Sequence, residues 1–322
     1  MINYDGVVPR DDVFELYWHF ASERHQAYLR RLEGESQPWT DDSVLQQYKF
    51  CNVYRVLDRV TQFLLTDVLY ADDVPNEPRA QLFRALVFRF FSKPETWIYL
   101  ENSVGQITDS AFDKQTFVAA LDDLKSSGQS IYTGAFILCA NNAFDAASKH
   151  ANHAELFSRI ASGEYDTLDR ILSAESLQQV YEALLELPLI GKFMAYQIAI
   201  DMNYSAAIDF PEDSFVVAGP GAERGIAKCF ESKGSKSTAE LIQWIQHNQE
   251  ELAHSYGYEA PTLFGRRLQS IDCQGLFCET DKYARVVRPD IKSARKRMKS
   301  TFKPRSKVDQ PFLPPKWNIL KY

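Results

Sequence analysis

Apolar residues along most of this chain recur at helical spacing and rarely alternate with polar residues. The clearest stripe follows i, i+3, i+4, i+7 and i+8 from Leu177 to Leu185, and a second runs from Met194 to Met202. The pattern predicts helices at about 1–45, 52–64, 79–91, 95–103, 114–126, 134–148, 153–162, 177–185, 194–202 and 237–255, with an acidic turn near Glu33–Asp42 inside the first stretch. No regular strand pattern and no internal repeat is visible, so the predicted fold class is all-α with two lobes.

Charge is distributed unevenly along the 322 residues, whose net charge is −7. From Lys282 onward there are 13 Lys and Arg against two acidic residues, whereas residues 1–281 hold 23 Lys and Arg against 41 acids. We therefore predict an N-terminal helical extension over 1–40, a helical domain over 41–285 and a basic C-terminal arm over 286–322. A basic arm on an acidic body indicates a polyanionic partner. A solvated surface helix, an arm folded onto the acidic body and a nuclear-targeting signal are alternatives.

Four residues of this basic arm are predicted to contact DNA phosphates. These are Arg295, Lys296, Arg297 and Lys299.

Other features limit the class of protein. Five scattered cysteines favour reduced thiols over a disulfide framework. No apolar run reaches the roughly 18 residues that a membrane span needs, and the N-terminus does not resemble a signal peptide. We expect an intracellular protein, cytoplasmic or, in a eukaryote, nuclear, without a membrane or obligate protein partner. His150 and His153 are the only close histidine pair, so we expect neither a metal site nor a cofactor.

A short turn, Leu187–Gly191, separates two predicted helices. A glycine at the start of the second helix lets its free N–H groups approach an anion, and Lys192 adds positive charge. Leu189, Gly191 and Lys192 are therefore predicted to bind a DNA phosphate, although an ordinary αα-hairpin has the same pattern.

Residues 187–195 (Leu-Pro-Leu-Ile-Gly-Lys-Phe-Met-Ala) resemble the Leu-Pro-Gly-Val-Gly-x-x-x-Ala signature of the helix-hairpin-helix DNA glycosylases. The resemblance implies an essential aspartate about twenty residues after the hairpin. Asp213 fits that setting best, followed by Glu212 and Asp209. Phe193 stands where glycosylase/lyases have a lysine, so the resemblance does not extend to lyase chemistry, and Leu189 replaces the first hairpin glycine.

Four further segments, 50–59, 195–204, 215–222 and 272–285, resemble a more specific family in the same order along the chain. It is named for the helical domain of 5-hydroxymethyl-deoxyuridine DNA kinase, or for alpha-glutamyl/putrescinyl thymine pyrophosphorylase. The resemblance implies action on hypermodified pyrimidines in double-stranded DNA, by attachment of amino acids or polyamines or by excision. The 322 residues contain no Gly-x-x-x-x-Gly-Lys-Ser/Thr loop, so we expect no phosphate-transferring kinase part in them.

Our first functional hypothesis is a monofunctional DNA N-glycosylase that flips out and excises a hypermodified or glucosylated hydroxymethyl pyrimidine. Such an enzyme would act in defence against phage with modified genomes. The alternative is an amino-acid or polyamine transferase acting on pyrophosphorylated 5-hydroxymethyl-uracil in DNA, which needs basic residues for pyrophosphate and a carboxylate to accept a proton. A non-catalytic reader of modified DNA is the second alternative.

Candidate substrate-binding residues come from the four segments. Asp201 lies in a mainly apolar helix, where a carboxylate must be paired, capping or functional. Gly219 and Gly221 either admit a phosphate to the backbone or form a plain turn. The predicted helix at 52–64 would place guanidiniums and a carboxylate on adjacent turns, either for substrate or as a surface salt-bridge lattice. The full set is Asn52, Tyr54, Arg55, Asp58, Arg59, Tyr196, Gln197, Asp201, Gly219, Gly221, Asp272, Gln274 and Lys282.

Overall fold

The computed structural model describes residues 4–134, 142–293, 298, 300–303 and 308–319, and these residues are mainly helical. The helices are α1 (Asp11–Leu32), α2 (Ser43–Gln47), α3 (Arg59–Phe63), α4 (Pro78–Phe91), α5 (Pro94–Val104), α6 (Lys114–Ser126), α7 (Lys149–Ala161), α8 (Thr167–Leu172), α9 (Leu177–Leu185), α10 (Lys192–Asn203), α11 (Pro220–Cys229), α12 (Thr238–His247), α13 (Gln249–Ser255) and α14 (Ser270–Val287). Short 3₁₀-helices lie at Arg55–Leu57 and Pro315–Trp317, and a π-helix continues α3 over Leu64–Leu69.

Four short strands form two antiparallel pairs within the described residues. β1 (Val7–Pro9) pairs with β2 (Phe230–Lys233), and β3 (Thr262–Leu263) pairs with β4 (Arg266–Arg267). The all-α prediction is confirmed, with these strands as small additions.

The chain divides into two compact units, and the first comprises residues 1–58, 212–311 and 319–322. Helix α14 is its central element and packs against α1, α11 and α12. Aromatic rings fill this core: the Tyr17 and Phe277 rings lie 4.6 Å apart, and those of Phe14 and Phe230 lie 4.8 Å apart. Gly225 lets α11 approach α14 closely, because a β-carbon on Gly225 would lie 2.0 Å from the Phe277 carbonyl oxygen.

The second unit comprises residues 59–211 and 312–318. Every residue of α4 from Ala80 to Phe91 is buried, and α4 packs against α5, α7, α8 and α10. The Arg89 guanidinium of α4 binds both carboxylate oxygens of Asp201 in α10, and its Nη2 lies 2.8 Å from Oδ1. Asp201 is completely buried. Of the three roles that the sequence left open for it, namely pairing, capping or function, the structure shows pairing.

Parts of two predicted helices are not helical in the described residues. Residues 52–54 are not helical, and the 3₁₀-helix at Arg55–Leu57 is followed by α3 at Arg59–Phe63. Residues 142–148 are not helical either, although part of that predicted helix lies outside the described residues. The Gly219–Gly221 segment opens α11 and is not a free-standing turn. No helix among the described residues is long and apolar enough to cross a bilayer.

Candidate functional site

The first unit holds a loop, residues 50–58, where apolar spacing had predicted a helix. The Asn52 N–H donates to Asp58 Oδ1 at 2.9 Å, and the Asn52 side-chain amide donates to the Leu57 carbonyl at 2.6 Å. Asn and Asp side chains that bind the nearby backbone in this way compete with helix formation. These bonds close the loop and point the Asp58 carboxylate back toward Asn52.

Helix α14 holds this loop at two points. Asp272 Oδ1 accepts the Arg55 N–H at 2.8 Å, and Glu279 Oε2 accepts the Cys51 N–H at 3.2 Å. The two carboxylates are seven residues apart and so lie on one face of α14, two turns from each other. Asp272 Oδ2 also accepts the Gln269 N–H at 3.0 Å, which caps the helix. Each carboxylate therefore positions one end of the loop.

Five polar side chains meet there: Arg24 of α1, Asn52 and Asp58 of the loop, and Glu279 and Lys282 of α14, which we call the loop–helix cluster. Arg24 Nη2 donates to Asn52 Oδ1 at 2.5 Å, and Lys282 forms an ion pair with Glu279. Burial and the nearby Glu279 charge raise the pKa of Asp58 to about 6, although the Asn52 N–H bond opposes the shift. Asp58 can therefore accept a proton near neutral pH.

An aromatic pocket of about 190 Å³ adjoins the cluster. Arg24 and Phe50 line it and lead into the loop, and Trp39, Tyr48 and Phe302 supply further rings. Residues 300–302 are held against residues 47–49, which precede the loop, since the Phe302 N–H donates to the Gln47 carbonyl at 2.9 Å. The Arg31 guanidinium carbon lies 4.6 Å from the Trp39 ring centroid. Such a pocket suits a planar ring, because aromatic and guanidinium faces both stack on one.

Several predicted substrate residues of the first unit serve its packing. Tyr54 is buried, and its hydroxyl lies 2.8 Å from the carbonyl oxygens of both Pro261 and Arg266. Burial raises the pKa of Asp272 to about 6. Gln274 is buried in α14. A β-carbon on Gly221 would lie 2.3 Å from Cys278 Sγ, so Gly221, like Gly225, permits close packing of α11 on α14. Gly219 is the N-cap of α11.

The three carboxylates predicted for catalysis have different surroundings. Asp213 is exposed, and its carbonyl accepts bonds from Gln243 and Ser270. Glu212 is buried and pairs with Arg266 Nη2 at 2.6 Å. Both belong to the first unit, whereas Asp209 belongs to the second and is exposed beside Lys316. Their catalytic roles stay predictions.

The hairpin lies in the second unit. Gly191 and Lys192 are exposed, and Gly191 is the N-cap of α10, as an anion-binding turn requires. Leu189 has φ of 69°, the left-handed conformation that favours the glycine found there in the resembling signature.

The remaining predicted residues of the second unit divide between its surface and its core. Arg59 is exposed and lies 3.7 Å from Glu95, whereas Tyr196 and Gln197 are buried in α10. Arg59 is therefore not on a shared helix with Tyr54, Arg55 and Asp58, as the sequence had predicted.

The predicted DNA contacts of the basic arm and the expected lack of a metal site concern different parts of the chain. Arg295, Lys296, Arg297 and Lys299 lie outside the described residues, so their DNA contacts stay predictions. Within the described ranges, no group of three or more His, Cys, Asp or Glu side chains is placed to hold a metal ion.

Sequence patterns alone did not identify Arg24 and Glu279 as site residues, and only the spacing of Glu279 could have indicated its role. It lies seven residues after Asp272, on the same helical face. Arg24 reaches the cluster from α1, 28 residues before Asn52, and no local pattern marks that contact.

The fold and the cluster define an all-α protein with a polar site beside a pocket lined by aromatic rings. Comparison with known sequences adds the family: residues 11–293 match the family described as "5-hmdU DNA kinase, helical domain", and the chain belongs to it. It is 28% identical over 291 residues to a "5-hmdU DNA kinase" of Bacillus phage SP10, covering 84% of this chain. The chain spans 45%, about half, of that relative's length. No solved structure matches it.

These comparisons correct the functional hypothesis. A family and a relative named for a DNA kinase indicate transfer of a group to a modified base, so the assignment as an excising DNA N-glycosylase, a hydrolase, was wrong. The transferase alternative is closer to the findings. The predicted family is confirmed, whereas the helix-hairpin-helix glycosylase grouping stays a resemblance.

Proposed function

We propose that this chain binds double-stranded DNA containing 5-hydroxymethyl-2′-deoxyuridine and acts in group transfer at the hydroxymethyl group of that base. The observation that carries the proposal is the position of the loop–helix cluster. Arg24, the 50–58 loop and residues 279–282 all fall within the 11–293 match to a family named for a kinase of this nucleoside. The named activity belongs to a relative about twice as long, and its assignment to this chain is part of the proposal.

The aromatic pocket supports a base-binding role. A base inside a duplex is inaccessible to an enzyme, so the nucleotide has to be extruded and its ring stacked on protein side chains. Phe50 and Arg24 border both the pocket and the cluster, so a pyrimidine held by the rings would bring its 5-substituent toward polar groups. We therefore assign the pocket to the pyrimidine ring and the cluster to its substituent.

Asp58 suits the proton transfer that such a reaction needs. In phosphorylation, the hydroxymethyl oxygen forms a bond to the terminal phosphorus of a nucleoside triphosphate, the bond to the diphosphate breaks, and the hydroxyl proton passes to Asp58. The triphosphate would have to be bound without a Gly-x-x-x-x-Gly-Lys-Ser/Thr loop, which these 322 residues lack. Because its pKa is raised to about 6, Asp58 is mostly ionised at pH 7 yet basic enough to take that proton.

A second candidate reaction is attack by an amine on an already pyrophosphorylated hydroxymethyl group. The nitrogen forms a bond to the methylene carbon, pyrophosphate leaves with the electron pair of the broken C–O bond, and Asp58 takes the amine proton. The pairing of Lys282 with Glu279 favours this candidate, because it shows that the cluster accommodates an ammonium group beside a carboxylate.

Mass spectrometry of a duplex with one 5-hydroxymethyl-deoxyuridine tests the proposal. The full chain is incubated with it and ATP–Mg²⁺, and separately with its pyrophosphorylated form and a polyamine. We expect the mass of one phosphoryl group to be added in the first case, or of one amine to replace pyrophosphate in the second. Matched thymidine duplexes should stay unchanged. Alkali-labile abasic sites, or no mass change in either reaction, would contradict the proposal.

The Asp58→Asn variant provides the matched control for the mechanism. Asparagine keeps the shape and an oxygen for the Asn52 N–H but cannot take a proton, so we expect the transfer rate to fall by about 100-fold or more. Asp41→Asn, which removes an exposed carboxylate nearby in sequence, should react like the wild type. An unchanged rate for Asp58→Asn would remove Asp58 from the reaction.

A further inference from the structure

A second pocket of the first unit is strongly basic. It has a volume of about 320 Å³ and is lined by Arg10, Arg224, Lys228 and Lys292 together with a single carboxylate, that of Asp281. The pocket lies between α11, the C-terminal part of α14 and residues 291–293 that follow it, and none of its residues belongs to the loop–helix cluster.

Asp281 organises the base of this pocket. It is completely buried, and Lys228 Nζ lies 2.9 Å from Oδ1 while Arg224 Nε lies 3.2 Å from Oδ2. Arg285 also pairs with Oδ2. Burial alone would raise the pKa of Asp281, but the bonds from Lys228 and Arg285 outweigh it and lower that pKa. One carboxylate therefore faces three cations, which leaves about two positive charges in excess.

Two further cations line the pocket and add to that excess of positive charge. Among the described residues, the side chains of Arg10 and Lys292 have no hydrogen-bond or ion-pair partner, and both reach solvent. Lys228, by contrast, is buried and is fixed by the Asp281 carbonyl at 3.2 Å and by Ser293 Oγ at 3.3 Å. Gathering like charges in a partly enclosed space is unfavourable unless an anion completes the group.

We infer that this basic pocket binds a phosphate group. Phosphate offers several acceptor oxygens and more than one negative charge, and arginines bind it through two parallel hydrogen bonds. Arg10, Arg224 and Lys292 provide such donors around one concave surface, and Lys228, which is already bonded to Asp281 and Ser293, adds positive charge. The phosphate belongs either to a free ligand such as pyrophosphate or to the backbone of a DNA strand. This inference does not depend on the reaction proposed for the loop–helix cluster.

Calorimetric titration of the full chain with pyrophosphate, beside titration with an unmodified DNA duplex, tests the inference. The double variant Arg10→Ala, Lys292→Ala removes the two unpaired cations and leaves the buried Asp281 group intact. Lys114→Ala, Lys125→Ala is the matched control, because it removes two exposed charges of α6, which lines neither pocket. We expect the first double variant to weaken binding of at least one ligand by about tenfold or more, and the control to behave like the wild type.

The two titrations distinguish the sources of the phosphate. Weaker pyrophosphate binding with unchanged DNA binding indicates a free ligand. Weaker DNA binding, with or without a change for pyrophosphate, indicates the strand backbone. If both double variants bind both ligands like the wild type, the pocket is not a phosphate site. The modified base is not used in either titration, so a failure of the proposed transfer reaction would leave this result unaffected.

Discussion

At the scale of single residues, burial and pairing decide which polar groups are available for chemistry. Asp58 and Asp201 illustrate the difference, since both were candidate site residues. Asp201 is neutralised by a two-point bond to Arg89, whereas Asp58 has a backbone N–H bond and a neighbouring carboxylate. The sequence could show that each aspartate lies among apolar residues, but Arg89 is 112 positions from Asp201, and no local pattern predicts such a pairing.

Asp58 should make the stability of the protein depend on pH. Its pKa is about 6 in the folded chain against an ordinary value of 3.8, so between these values the unfolded chain loses the proton first and the fold becomes less stable as pH rises. Asp58→Asn lacks this penalty. We expect its melting temperature to rise relative to wild type from about pH 4 to about pH 6 and the gap then to level off. A difference that is constant with pH would contradict the assignment.

The Arg89–Asp201 pair should be essential to the second unit. Asp201→Ala leaves the Arg89 guanidinium buried without its carboxylate, so we expect a loss of about 3 kcal/mol or more in the free energy of unfolding, measured by urea denaturation. Replacing both residues by leucine removes both charges and should recover much of that loss. If the double variant is no more stable than Asp201→Ala, pairing is not the reason for the burial of Asp201.

At the scale of elements, the sequence predicts helices well where one face packs and less well where side chains bind the backbone. Residues 177–185 form α9 as predicted, and Ser176 caps it by accepting the Gln179 N–H at 3.2 Å. Residues 52–64 have similar apolar spacing. Their first half is held as a loop because Asn52 and Asp58 bind each other, and because Asp272 binds the Arg55 N–H. The second contact is beyond any local pattern.

Close packing of α11 on α14 can be tested with two glycines. Gly225→Ala would place a β-carbon 2.0 Å from the Phe277 carbonyl oxygen, so the helices must separate, and we expect a loss of about 2 kcal/mol or more. Gly275 lies within α14, and a β-carbon added there would meet no atom within 4 Å beyond its chain neighbours and the adjacent backbone of its own helix, so Gly275→Ala should stabilise the protein by up to about 1 kcal/mol. Thermal and urea unfolding measure both. Equal effects of the two substitutions would contradict the packing.

At the scale of the whole molecule, the sequence indicated an acidic helical body with a basic end and four ordered family segments. The structure adds that the chain divides near residue 58, so a stretch of regular apolar spacing contributes to both units. The first unit joins residues 1–58 to residues 212–311, and the cluster draws on both segments. Composition and spacing report neighbours along the chain, so they could identify the loop and α14 separately but could not show that these elements form one site.

The most direct test of the central claim is the affinity of the full chain for two duplexes that differ at one base, 5-hydroxymethyl-deoxyuridine or thymidine. Fluorescence anisotropy measures both affinities at one fixed salt concentration. The backbone contacts that the two duplexes share then contribute equally and cancel in the ratio of the affinities. We predict at least about tenfold tighter binding of the hydroxymethyl duplex. We also predict that this preference is lost in Asp58→Asn and kept in Asp41→Asn. Equal affinity of the wild type for the two duplexes would contradict recognition of the hydroxymethyl group by this chain.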